Sequence, residues 1–135
     1  MSDVSSPISL PPNQAAQLLF VGRSLDFQST ADQALAKKFG GTSFVITQII
    51  AIRRTGAASI ACTGGIYDAP SKGGNVLVAG AQSWVTLALG VNINAVLAAA
   101  GATMTLSAAA LYLSLTVGST AAVTGDVFVF GLIVD

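Results

Sequence analysis

Among the 135 residues there is no histidine, and all six acids are aspartates. General acid–base catalysis and metal ligation thereby lose their most frequent side chain. Carboxylates alone can hydrolyse a glycoside when two of them flank the bond. Here Asp3, Asp26, Asp32, Asp68, Asp126 and Asp135 are scattered, most of them in expected turns or near the termini, and no spacing pairs them. Solvated turn aspartates account for the whole set. With a single cysteine, Cys62, no intramolecular disulfide can form and no zinc cluster exists; within ASIACTGG it reads as a small buried hydrophobe.

Two basic features invite a phosphate-binding reading. Arg53 and Arg54 are adjacent, but they end a strand-like run, where a solvated strand end or an intersubunit ion pair fits better. Lys72 precedes Gly73 and Gly74, whereas a P-loop lysine follows its glycine and opens a helix. A nucleophile elbow, a dinucleotide fingerprint and an EF-hand loop are missing, and aromatic residues are not interleaved with basic ones. A non-enzyme with no cofactor and no metal is expected.

The elements that carry these residues read as strands. Leu111, Leu113, Leu115 and Val117 alternate with Tyr112, Ser114 and Thr116, a period of two with one buried face. Residues 127–134 are apolar on both sides, as in a strand covered twice. The two are expected to pair as an antiparallel hairpin through residues 118–125. Residues 24–28 and 33–39 read as short strands about a polar turn, with Lys37 and Lys38 blunting an exposed edge. In residues 42–54, Phe44, Ile46, Ile50 and Ile52 are expected on one face, and Val45, Thr47, Ile49 and Ala51 on the other. Gly64 and Gly65 interrupt the next strand, residues 57–67, as a bulge or a close backbone approach. Residues 68–75 form a loop, 76–79 and 83–89 two more strands, and 90–101 a helical turn or a long connection.

Residues 1–12 are rich in serine and proline and read as an extended arm. Asn13 is placed to cap a helical turn over residues 14–19, unless residues 18–21 dock as an apolar strap instead. The chain thus divides into an arm, 1–23, and a β-domain, 24–135. Leu18, Leu19 and Phe20, with Arg53 and Arg54, are the candidates for contact with a neighbouring subunit. Trp84, Phe128 and Phe130 are the candidates for a self-interface.

Charged residues make up 9% of the chain and apolar ones 53%, against about 25% charged in ordinary globular domains. So little polar surface implies that part of the apolar surface faces another chain. Net charge is zero, which gives no field to attract nucleic acid. An early Asp3, the lack of Lys or Arg before Arg23 and the prolines at 7, 11 and 12 argue against a secretory signal. Residues 94–118 are long enough to span a bilayer. Their alternation, and the absence of flanking Lys or Arg, make a spanning helix the weaker competitor.

The order of the segments SLDFQSTADQAL, GGTSFVITQIIA, ACTGGIYDAPSKGGNVLVAGAQSW and ALYLSLTVG…DVFVFGLIVD resembles that of small bacteriophage virion proteins. The likeness runs from about residue 24 to the C-terminus, and residues 64–84 are its most specific part. It implies an all-β fold, an antiparallel, jelly-roll-like β-sandwich of about eight strands, which the extended N-terminal arm read from the composition of residues 1–12 precedes. Among such proteins, head decoration (cement) subunits sit on the outer capsid surface, often as trimers, and clamp the major capsid protein. A homotrimer in the virion, bound to the major capsid protein and to neither nucleic acid nor membrane, is what the resemblance implies. The alternative is a tail or fibre module that recognises a host-surface glycan through Trp84, Tyr67 and Tyr112. No ligand residues come with the resemblance, and residues 1–23 lie outside it.

Overall fold

β-branched residues are plentiful, Glu is absent and Lys and Arg are scarce, which favours strands over helices. The computed structural model describes residues 16–56, 61–89 and 91–135. The strands are β1 (Gln17–Asp26), β2 (Gln33–Lys37), β3 (Phe44–Gly56), β4 (Thr63–Ala69), β5 (Gly73–Val78), β6 (Ile93–Asn94), β7 (Ala110–Val117) and β8 (Val123–Ile133). A 3-10 turn, Val85–Leu89, and a short helix α1, Ala99–Thr103, complete the elements. Residues 83–89, expected as a strand, contribute only a bridge from Ser83 to Thr63 before that turn. Among the described residues no helix is long and apolar enough to cross a membrane.

All pairings are antiparallel, in the order β5-β4-β7-β2-β1-β8-β3-β6. β1 lies beside β8, β2 beside β7, β3 beside β6 and β4 beside β5. The chain is therefore one long two-stranded ribbon rolled upon itself, which is the jelly roll. The all-β expectation holds. The expected hairpin of β7 with β8 does not form, because rolling the ribbon sends β7 between β2 and β4 and β8 between β1 and β3.

Two separate layers were expected, but β1 also bonds β2, at Phe20–Lys37 and Val21–Ala36, so the halves β1-β8-β3-β6 and β2-β7-β4-β5 are one sheet. At the opposite seam, β6 pairs with Ile50 and Ala51 of β3, and Leu97, just beyond it, bridges Val78 of β5. The Ala95 amide donates to the Ile49 carbonyl at 2.9 Å, and the Ala98 amide to the Leu77 carbonyl at 2.8 Å. Residues 93–98 thus join the two ends of the curled sheet at this seam, holding Ile49 to Ala51 of β3 on one side and Leu77 and Val78 of β5 on the other.

The interior is filled from every strand. Leu111, Leu113 and Leu115 of β7 are fully buried, as their alternation requires, whereas Val117 is exposed. Phe20, Phe39 and Phe44 meet edge to face, with centroids 5.1–5.8 Å apart. At another place in the core Trp84 packs on Phe27 and donates its indole N–H to the Gly64 carbonyl at 3.1 Å. Gly64 and Gly65 are both a register shift and a close approach: a Cβ on either would overlap the Leu115 backbone or the Val78 carbonyl.

Several expectations are corrected here. Residues 1–15 of the arm, with the proposed Asn13 cap, lie outside the described residues, but residues 17–23 are not arm. They belong to β1, an interior strand, and Leu19 and Phe20 are wholly buried in the core of their own chain. Trp84 is likewise fully buried, so it is core and not a self-interface. Lys37 and Lys38 do not guard an edge, since β2 lies between β1 and β7; the Lys37 ammonium sits 4.6 Å from the centre of the Phe39 ring. The two faces of β3 are not those expected either. A bulge between Ile46 and Gln48 changes the parity, so Phe44, Ile46, Ile49 and Ala51 point inward while Ile50 and Ile52 point outward.

Trp84→Phe keeps most of the ring volume but leaves the Gly64 carbonyl without its indole donor and opens a small void. A loss of about 2 kcal/mol of unfolding free energy is expected in urea denaturation. A variant as stable as the parent would show that the indole bond contributes nothing.

Candidate functional site

The aspartates come first, because the chain has no other acids. Each of the five described ones accepts a backbone amide at a turn, bulge or strand end. Asp26 takes the Gln28 amide at 2.9 Å, Asp32 that of Ser71 at 2.7 Å, and Asp68 that of Asn75 at 2.6 Å. Asp126 takes Ser24 at 2.8 Å, and Asp135 takes Thr42 at 3.0 Å and Ser43 at 3.2 Å. Asp26 does so within its own turn, two residues away, whereas Asp32, Asp126 and Asp135 each tie together segments distant in sequence. The structure brings no two of these carboxylates together as a catalytic pair in any hydrogen bond. Among the described residues no group of three His, Cys, Asp or Glu side chains is placed to hold a metal ion. A shallow cavity of 260 Å³ is lined by Lys37, Thr42, Ser107, Ala108 and Ala109, which supply a cation and two hydroxyls but no carboxylate or thiol.

What the fold does assemble is a surface. Residues opposed across antiparallel strands share a face. On β8, Phe128 lies opposite Val21 of β1 and Ile50 of β3, Phe130 opposite Leu18 and Gln48, and Asp126 opposite Ile52. Val127 and Val129, between them, point into the core and are fully buried. Leu18, Ile50, Phe128 and Phe130 are half-buried and Ile52 is 39% exposed, so an apolar row runs along the outside of β8 and its two neighbours.

One end of this row is charged. A register shift between Gly22 and Leu25 leaves Arg23 and Ser24 of β1 outside the ladder with β8, with Ser24 at a positive φ of 50°. Arg23 then stands 5.3 Å from the centre of the Phe128 ring and 3.4 Å from Oδ2 of Asp126. Arg54, at a second shift in β3 between Arg53 and Thr55, reaches the same oxygen at 3.3 Å. The Asp126 side chain is 12% exposed, the two arginines 64% and 51%.

The sequence-derived candidates therefore divide. Leu18, Phe128, Phe130 and Arg54 converge on this face; Leu19, Phe20 and Trp84 do not reach the surface; Arg53 is exposed but lies opposite Gly125, one position out of step with the Asp126 row. Tyr67 and Tyr112 are opposed on the outside of the other half, Tyr67 almost wholly buried and Tyr112 half-buried. Sequence reasoning missed Arg23, Ile50, Ile52 and Asp126. The one signal available was Thr47-Gln48, two consecutive polar residues breaking an alternating run, both exposed at the bulge.

Comparison with family models, with curated proteins and with solved structures returns no match to this chain.

Two of the clamping aspartates titrate below their ordinary value. The Ser71 amide, then the Ser114 hydroxyl and the charge of Lys72, hold the Asp32 carboxyl down against a small opposing effect of burial. The Thr42 and Ser43 amides do the same for Asp135. A carboxyl depressed in the folded state stabilises above its unfolded value and loses that contribution as pH falls through the folded value. Unfolding free energy is expected to be level from neutrality to about pH 4.5 and to decline below about pH 4. Asp32→Asn with Asp135→Asn should flatten that decline in acid denaturation followed by fluorescence. An unchanged slope would remove both clamps from the acid response.

Proposed function

We propose that the chain is a non-enzymatic structural subunit of a phage particle, a head decoration protein that docks on the major capsid protein and stabilises the shell. The observation that carries this reading is the apolar row of Leu18, Ile50, Ile52, Phe128 and Phe130 on the outside of the sheet. β8 is paired on both sides, so the row lies on the outer face of three adjoining strands, and among the described residues Ile52 there is 39% exposed. An apolar row rimmed by polar groups marks a protein interaction site. The rolled sheet gives it a stiff backing, and the scarcity of charge suits a lasting interface. The resemblance supplies the kind of partner, and with it the arrangement as a homotrimer on the outer capsid surface.

A tail or fibre module that stacks a sugar is the poorer reading. Its best platform, Trp84, has its ring fully buried and its N–H engaged inside the core.

Co-sedimentation with shells assembled from the major capsid protein tests the proposal. The parent chain is expected to sediment with the shells, and Phe128→Ser with Phe130→Ser to weaken that binding at least about tenfold with little change in melting temperature. A parent chain that stays in the supernatant overturns the proposal. Light scattering that shows only a single copy overturns the trimer.

A further inference from the structure

The charged end of the apolar row says what kind of group the partner brings. Asp126 has one oxygen, Oδ1, on the Ser24 amide at 2.8 Å, and the other, Oδ2, shared by Arg23 and Arg54 at 3.4 and 3.3 Å. Each guanidinium carries five N–H donors, and each of these contacts is single and long where a forked pair to a carboxylate is short and double. Two cations on one anion leave a local excess of one positive charge (2 − 1 = +1). Phe128, under Arg23, and Ile52, opposite Asp126, border that excess with apolar surface.

We infer that Arg23 and Arg54 receive a carboxylate of the partner, an Asp or Glu side chain set among apolar residues that cover Phe128 and Phe130. The planar fork of arginine matches a carboxylate in two places at once, and covering the neighbouring rings with apolar groups lowers the local dielectric and strengthens the pair. A second copy of this chain related by a two-fold axis through this patch does not fit. A two-fold contact brings a patch onto itself and would set arginine against arginine. A phosphate or nucleic acid fits less well than a carboxylate, because Asp126 stands between the arginines and the adjoining surface is apolar.

This inference rests on the docking reading above, and the experiment keeps the two apart. The full chain is immobilised and random twelve-residue peptides are selected on it. Peptides with Asp or Glu beside apolar residues are expected. Changing that acid to its amide should weaken binding about tenfold or more. Arg23→Gln with Arg54→Gln should weaken it equally, and Arg23→Lys with Arg54→Lys should retain part of it. The change on the peptide reads the same contact whether or not the arginine variant folds. Peptides without an acid, an acid replaceable at no loss, no enrichment at all, or tighter binding of oligothymidylate than of the acidic peptide would each overturn the inference. Capsid shells that bind the glutamine variant as well as the parent overturn it and leave the decoration reading intact. Shells that ignore the parent, while acidic peptides still need the arginines, overturn only the decoration reading.

Discussion

The two-sided pairing of β1 is the constraint on which the rest depends. Along one edge it bonds β8 from Gln17 to Asp26, and along the other it bonds β2 at two positions. Among the described residues that is the only ladder between the halves; the opposite seam is held by the bridge of Leu97 to Val78 and the amide bonds beside it. The side chains follow the same logic. Leu19 enters the core on β1, and Phe20 ties the ring cluster of Phe39 and Phe44 together. A strand in that position orders both halves at once, at the cost of closing contacts over a long stretch of sequence. β1 and β8 are among the first and last strands of the chain, so the fold is complete only when its two ends meet.

Irregularities in the ladders, rather than the ladders themselves, create the surface that the proposed function uses. A residue added to one strand of a pair changes the side on which everything beyond it points. In β3 the shift at Thr47 sends Ile50 and Ile52 outward, next to Phe128 and Asp126. In β1 the shift after Gly22 brings Arg23 up against Phe128 while Leu25 returns to the core. Without the first shift the outer row would lose its isoleucines; without the second, Asp126 would lack the Ser24 amide and one of its arginines. Apolar row and charged end are products of local faults in β1 and β3, placed on either side of β8.

These facts set the limit of what the sequence could disclose. Alternation identified β7, because its outward residues, Tyr112, Ser114 and Thr116, are polar and its inward ones are leucines. β3 offered no such contrast: Val45, Ile49 and Ala51 are as apolar as Ile46, Ile50 and Ile52, so parity alone could not locate the core face. Residues 18–21 form a continuous apolar run, the mark of a strand buried on both sides, yet the prolines before them suggested an arm. β7 and β8 are adjacent in sequence, but the rolled ribbon places them in different halves. Trp84 was legible as core or interface, and burial against Phe27 settles it as core. Of the interaction surface, Leu18, Arg54, Phe128 and Phe130 were recognisable by residue type. Arg23 and Asp126 were not, since they meet across 103 residues of sequence.

The distribution of charge follows from the same architecture. A curled sheet has many turns and strand ends whose amides lack ladder partners, and a buried or half-buried amide left unpaired costs about 1–3 kcal/mol. The five described aspartates are all spent on such backbone amides, part-buried at Ser24 and Asn75 and exposed at Gln28, Thr42 and Ser71. Acids committed to backbone amides cannot also decorate the outer faces, so those faces are left to Ala, Ser, Thr, Tyr and the β8 phenylalanines. Asp126 is the one carboxylate that does both, holding the β1 bulge with Oδ1 and two exposed arginines with Oδ2. The site with the strongest claim to recognise another molecule is therefore also a structural joint. Whatever docks on it meets a positive rim whose Arg23 is placed by the same bulge that returns Leu25 to the core.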